Sequence, residues 1–427
     1  MTRSLTPIIG VTILAQLFIF LLGLSNNVIL SRWLGPEMLG VLATIIVLIE
    51  IIFKIANPGI DSSAIYFISN KRFPFNKFIG NYILNGFVIF LFGVILLIIL
   101  LQSKILCILS NKIDIQVIVG NYWGMILFLF AFQFYEFGTK ITLGLQRFSR
   151  FNKAQMLKSV ILFLLLIGCY FLFRAELWLV LVVYSLSWII PSILLWRIAL
   201  PFKIRWEKEI TVQSIKYGIK IMAANLLMFL TYRSDIILIG FFLSQTAVGW
   251  YYVSVLVAEK LLLLTQATGT ILFPAASSSI EQSKKAPLLS RVNLFFVIIG
   301  AIIIAVTSFW IIPLLFSIEY SNSVMPLIII LPGIAALSVS KILSADFGAR
   351  GKPQYSMYVS IINFCLNITL NIILIPELGI KGAAISSSIS YSIATAIQCY
   401  LYKKITGTPV TELIFIRPDD FKSVLKI

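Results

Sequence analysis

Runs of 18 or more apolar residues recur from one end of the chain to the other, separated by short polar stretches. Each run is long enough to cross a hydrocarbon core of roughly 30 Å as a helix. They predict twelve spans, at about 8–30, 38–57, 79–101, 116–140, 155–173, 177–198, 217–241, 247–272, 293–316, 324–345, 355–375 and 380–401. A transmembrane barrel would instead show short segments of alternating polarity, and none is present. The expected fold class is therefore all-α, a polytopic membrane protein of about 12 transmembrane helices. The first run is too long for a signal-peptide core and has no small-residue cleavage pattern behind it, so it reads as a retained span.

Composition agrees: 59% of the 427 residues are hydrophobic and 12% charged, with a mean hydropathy of +1.00. Lipid is part of the solvent of such a chain. A net charge of +17 raises the question of nucleic acid, and the distribution of the charge answers it. One set of alternate connections holds 25 of the 34 basic residues, the opposite set 5, and the spans 4. The positive-inside rule then puts both termini in the cytoplasm with an even number of spans, and the basic surplus needs no nucleic acid to explain it.

Every connection is short, the longest being about 198–216 and 273–292, so no external segment is large enough to fold alone. The first of these divides the chain into an N-terminal six-helix bundle at 1–200, a cytoplasmic linker at 201–216, a C-terminal six-helix bundle at 217–405 and a cytoplasmic tail at 406–427. A shift of 209 residues lays Leu34 to Gly40 on Leu243 to Gly249, Ser25 on Ser234, Asn26 on Asp235 and Glu50 on Glu259. Such a repeat predicts two pseudo-symmetric bundles of like orientation.

Three segments carry a family resemblance: Ser31 to Gly40 after the first span, Tyr232 to Gly240 through Val248 to Tyr251, and Gly351-Lys352-Pro353 through Asn363, Asn367 and Asn371 to Ile375-Pro376-Glu377-Leu378-Gly379-Ile380-Lys381-Gly382-Ala383-Ala384. Together they resemble the polysaccharide-transporter (Wzx-type flippase) family of the multidrug/oligosaccharidyl-lipid/polysaccharide (MOP) exporter superfamily, over essentially the whole chain. The resemblance implies a MATE-like fold and a flippase that moves undecaprenyl-pyrophosphate-linked oligosaccharide repeat units (O-antigen, capsule or a related glycan) across a bacterial inner membrane. It also implies a glycan polymerase machinery as a partner. Read on their own, Gly35-Pro36 and Pro376 belong to tight external turns, and Gly382 to Ala384 with Ser386 to Ser388 form a small-residue face for close helix contact.

Ionisable residues inside spans cost roughly 2.5–3.5 kcal/mol each on insertion scales, so they face a cavity or a partner. Arg233, Lys54 and Lys260 are candidate cargo-binding residues, because a pyrophosphate headgroup needs charge-assisted hydrogen bonds. Asn26 and Asn85 are candidate sugar-binding residues, with interhelical hydrogen bonding as the alternative. Glu50, Glu259, Asp235, Glu136 and Asp346 are candidate coupling or gating residues. A carboxylate whose pKa is raised by burial can carry a coupling proton, and the driving ion would be H+ or Na+. Mutual neutralisation competes with these roles: Glu50 with Lys54, Glu136 with Lys140 and Asp346 with Arg350 all have i, i+4 spacing. Lys341 reads as a residue that snorkels to the interface.

Histidine is absent, which removes His-based acid–base chemistry and histidine metal sites. No phosphate-loop motif is present, and the four cysteines lack ligand spacing, so neither an enzyme activity, a cofactor nor a metal is expected. Two alternatives remain open on the sequence: a cation-coupled drug antiporter of the same superfamily, and a membrane glycan polymerase or ligase. The first prefers an acidic cavity and the second a long external loop.

Overall fold

The computed structural model describes residues 5–102, 120–199, 205–263, 265–266, 286–417 and 420, with backbone only for 5–17. Cys107, the basic residues Lys284 and Lys285, most of the 273–292 connection and the end of the tail lie outside the described residues. All described elements are helical: α1 Leu5–Ala56, α2 Ile60–Ser69, α3 Phe75–Gln102, α4 Tyr122–Gly144, α5 Phe148–Leu172, α6 Leu177–Trp196, α7 Lys208–Phe242, α8 Gln245–Glu259, α9 Ala286–Phe316, α10 Val324–Ala349, α11 Gln354–Leu378, α12 Ile380–Thr406 and α13 Thr411–Ile414. Nine helices among the described residues are long and apolar enough to cross a membrane. The first contains a break at Gly35 (φ 69°, ψ 174°). Counting its two arms separately gives ten such segments among the described residues, and α8 and α12 fall where the other two of the expected spans lie. The serine-rich α12 carries less apolar surface than its neighbours because Ser386, Ser387 and Ser390 are fully buried against protein rather than exposed to lipid.

Two turn assignments change. The turn after the first span shrinks to Gly35 alone, with helical backbone on both sides and Pro36 opening the second arm. Pro tolerates a first helical turn because the N–H it lacks would have no partner there. Pro376 lies inside α11, not in a turn; the chain reverses at Gly379 (φ 63°, ψ −143°), a conformation that glycine adopts without strain.

The chain divides into two compact units, 1–226 and 227–427. In unit 1, α4 packs on α6 and α2, and α5 packs on α6 and α1. The first turns of α7 join this unit: a Cβ on Gly218 would lie 2.1 Å from the Gly59 carbonyl oxygen, so backbone meets backbone there. Tyr217 stacks on Tyr66 with ring centroids 4.4 Å apart. In unit 2, α10 packs on α12 and α9, and α11 on α12. Polar contacts tie these helices: Asn367 donates to Ser387 and Ser390 at 3.3 and 3.2 Å, and Asn371 donates to Asn367 at 2.9 Å. Apolar surface gains little from leaving lipid, so such bonds and close packing hold the bundle.

The start of the tail is also structured. Arg291 at the beginning of α9 donates to both carboxylate oxygens of Asp420 at 2.6 Å and to the Glu412 carbonyl at 3.0 Å. These bonds hold the Asp420 carboxyl below the usual carboxylate range. Because its folded-state pKa is depressed, the stabilisation is complete above about pH 4 and is lost as pH falls through the native value. Arg291→Ala is expected to cost ~1–3 kcal/mol and to open the tail to limited proteolysis, whereas Asp420→Asn costs less. A tail equally resistant in both variants would show that this ion pair does not hold it.

Candidate functional site

Unit 2 contains a cavity of about 360 Å³, lined on its polar side by Tyr232, Arg233, Tyr252, Glu259, Lys260, Gln266 and Lys341. Helix phase explains the set. Arg233 sits in the later part of α7, Glu259 closes α8, Lys260 caps it, and Lys341 lies in α10. The α7–α8 turn is set by Ser244, whose hydroxyl accepts from the Ala247 N–H at 3.2 Å as an N-cap. Arg233 grips Glu259 with two parallel hydrogen bonds of 3.2 Å. Both side chains remain about 30% exposed, so the pair faces open volume. The Lys341 ammonium lies 5.4 Å from the centre of the Tyr232 ring. Among the described residues, three cations against one carboxylate give the wall a net charge of +2. A cavity of this size is within the range of small-ligand sites, and its charge suits an anion.

The structure brings together four of the residues singled out in the sequence and separates others. Arg233, Glu259 and Lys260 share the cavity. Asp235 points elsewhere: it is 3% exposed and accepts from Tyr251 Oη at 2.6 Å and from the Ile236 N–H at 2.8 Å. The carboxylate facing Arg233 is therefore Glu259, not its sequence neighbour. Asp346 is fully buried and holds Arg350 Nε at 2.5 Å and Tyr402 Oη at 2.9 Å. Lys341, read from the sequence as snorkelling, lines the cavity instead. The signal for it was present, an ionisable residue within a span, while Tyr252 carried no such signal.

Unit 1 holds the rest. Glu136 meets Lys140 at 3.3 Å, the i, i+4 pair that the spacing predicted. Glu50 and Lys54 lie on the second arm of α1, both half-buried. Asn85 donates to Asn81 at 2.6 Å and to Thr211 at 3.0 Å, and Asn81 donates to the Glu207 carbonyl at 2.9 Å, a network that joins α3 to the start of α7. Asn26 donates to the Ser159 carbonyl at 3.4 Å, and its own buried oxygen has no hydrogen-bond partner among the described residues. Lys158, counted from the sequence with a basic connection although it falls inside the predicted span 155–173, lies within α5, which begins at Phe148.

A family model described as "Polysaccharide biosynthesis protein" matches residues 8–280. The chain belongs to that family. Among curated relatives, "Probable low-salt glycan biosynthesis flippase Agl15" of Haloferax volcanii is 30% identical over 172 residues, 39% of this chain and 36% of that protein. An uncharacterized membrane protein of Methanocaldococcus jannaschii is 27% identical over 210 residues, 48% of this chain and 41% of its own length. The matches thus span about two fifths of these relatives. Among solved structures, the lipid II flippase MurJ in an inward closed conformation superposes with a TM-score of 0.78 at 14% identity, covering 94% of this chain and 89% of MurJ. An inward-facing multidrug resistance MATE transporter of the MOP superfamily gives 0.75 at 16% identity, covering 92% and 95%. Identities this low establish the fold, which the polysaccharide biosynthesis family therefore shares with flippases and drug transporters alike.

Proposed function

We propose that this member of the polysaccharide biosynthesis family is a flippase that translocates undecaprenyl-pyrophosphate-linked oligosaccharide between membrane leaflets by alternating access, and that it is not an enzyme. The observation that carries this reading is the cationic cavity of unit 2. Arg233 offers a planar fork matched to phosphate oxygens, and Lys260 and Lys341 supply point charges beside it. A drug antiporter moving cations would meet a net repulsive wall at this place.

The same reading puts the protein in a bacterial inner membrane with both termini in the cytoplasm, O-antigen or capsule units as cargo, a proton or sodium ion as the coupling species, and a glycan polymerase downstream. Purified protein in vesicles is expected to accelerate exposure of a labelled polyprenyl-pyrophosphate oligosaccharide to an external glycosidase. Vesicles that export a cationic dye and leave the glycolipid in place would overturn the assignment in favour of the antiporter.

Topology is testable separately. In a background without the four native cysteines, Lys77→Cys is expected to resist an impermeant thiol reagent in intact cells, and Ser321→Cys to react. Reaction at position 77 would reverse the orientation derived from the basic residues.

A further inference from the structure

Three consecutive helices of unit 1 build a second polar site. The ammonium of Lys158 on α5 lies 3.9 Å from the centre of the Trp188 ring on α6 and 4.9 Å from that of Tyr135 on α4. Lys158 is the eleventh residue of α5, so it stands about 15 Å along the helix at 1.5 Å per residue. Two aromatic faces attract the ammonium but leave its N–H donors unused, and among the described residues no carboxylate oxygen lies within 4.0 Å of it. Glu136 and Glu50 are within its electrostatic reach, yet Glu136 is already committed to Lys140 at 3.3 Å.

The second observation is independent. Tyr135 is 3% exposed, and its hydroxyl has no hydrogen-bond partner among the described residues. Burying a hydroxyl without a partner is costly, so its persistence needs an explanation. The hydroxyl sits on the same ring that Lys158 covers. A ligand seated beside that ring would meet an unpaired cation and an unpaired hydroxyl together.

Charge selects the ligand. Glu136 and Glu50 both stand within electrostatic reach of Lys158. A pyrophosphate, with several negative charges, would be repelled by the two glutamates and would find no guanidinium fork. A single carboxylate flanked by hydroxyls matches one ammonium and one phenol. We propose that Lys158, Tyr135 and Trp188 form a subsite for the carboxylate of an acidic sugar, and hence that the glycan carried by this protein contains a uronic acid or a similar residue. This rests on the reading of the cargo as a lipid-linked glycan, with the headgroup taken by the separate cavity around Arg233.

Calorimetric titration of the purified full-length protein with glucuronate, glucose and inorganic pyrophosphate tests it. Glucuronate is expected to bind at least ~10-fold more tightly than glucose, and Lys158→Gln to erase that margin while Lys158→Arg keeps it. Tyr135→Phe removes an oxygen that makes no bond among the described residues, so it should weaken glucuronate ~3- to 10-fold without lowering the melting temperature. Arg233→Ala should weaken pyrophosphate and leave glucuronate unchanged. No preference for glucuronate over glucose, or a preference that survives both Lys158→Gln and Tyr135→Phe, overturns the subsite. Glucuronate binding that depends on Lys158 in a protein whose pyrophosphate binding ignores Arg233 would instead sink the headgroup assignment and leave the subsite standing.

Discussion

Replacing Arg233 with alanine is expected to slow glycolipid translocation by roughly 10²–10³-fold, equivalent to ~3–4 kcal/mol. The variant loses the one group in the cavity that can hold two phosphate oxygens at once, and it leaves Glu259 without the two 3.2 Å bonds that now satisfy it. Arg233→Lys keeps the charge but not the fork, so a loss of about 10-fold is expected. The partner revealed by the structure sharpens the control. If Arg233 served only to neutralise Glu259, then Arg233→Ala/Glu259→Gln would restore transport. If the guanidinium binds cargo, the double variant stays defective, and Glu259→Gln alone binds pyrophosphate more tightly because an internal competitor for Arg233 is gone. Pairing Arg233→Ala with Asp235→Ala should not help in either case, since Asp235 is satisfied by Tyr251. Vesicle translocation and pyrophosphate affinity, measured on the same preparations, separate these outcomes. Normal translocation by Arg233→Ala would remove its binding role.

A large effect on folding is expected at Gly382. A Cβ there would stand 2.1 Å from the Leu374 carbonyl oxygen and 3.0 Å from the Ile375 nitrogen, both of them backbone atoms that cannot rotate away. Gly382→Ala must therefore push α12 off α11, breaking contacts such as Asn367 with Ser387 and Ser390. The expected cost is on the order of 3 kcal/mol, read as lost folded protein and a lowered melting temperature. Gly168→Ala, where none of the described residues lies within 4 Å of the added carbon, is the matched control. Equal stability of the two variants would mean that α11 and α12 do not approach at Gly382 as closely as described.

Gly382 shows what kind of information was readable in advance. Its small-residue run with Ala383 and Ala384 marked a close helix contact before any coordinates, because only residues without long side chains let backbones meet. Turn geometry was less readable. Pro36 and Pro376 look alike in sequence as helix breakers, yet Pro376 continues α11 and the reversal falls at Gly379. A proline within the last turn of a helix is compatible with helical φ, so the residue type alone does not fix where the chain turns.

Run length and residue spacing along the chain specified the class of solvent, the helical fold, the family and the local ion pairs. Apolar run length is set by bilayer thickness. The pairs Glu136 with Lys140 and Asp346 with Arg350 are set by the helical repeat. Helix packing settled that Arg233 answers to Glu259 across two helices, that Asp235 turns to Tyr251, that Lys341 enters the cavity and that Lys158 rests on Trp188. The reason lies in the lipid. In water, polarity marks the outward face of a helix and so fixes its rotation. In a bilayer, core and surroundings are equally apolar, the stripe disappears, and which side of a span faces a cavity is settled only by how the helices pack.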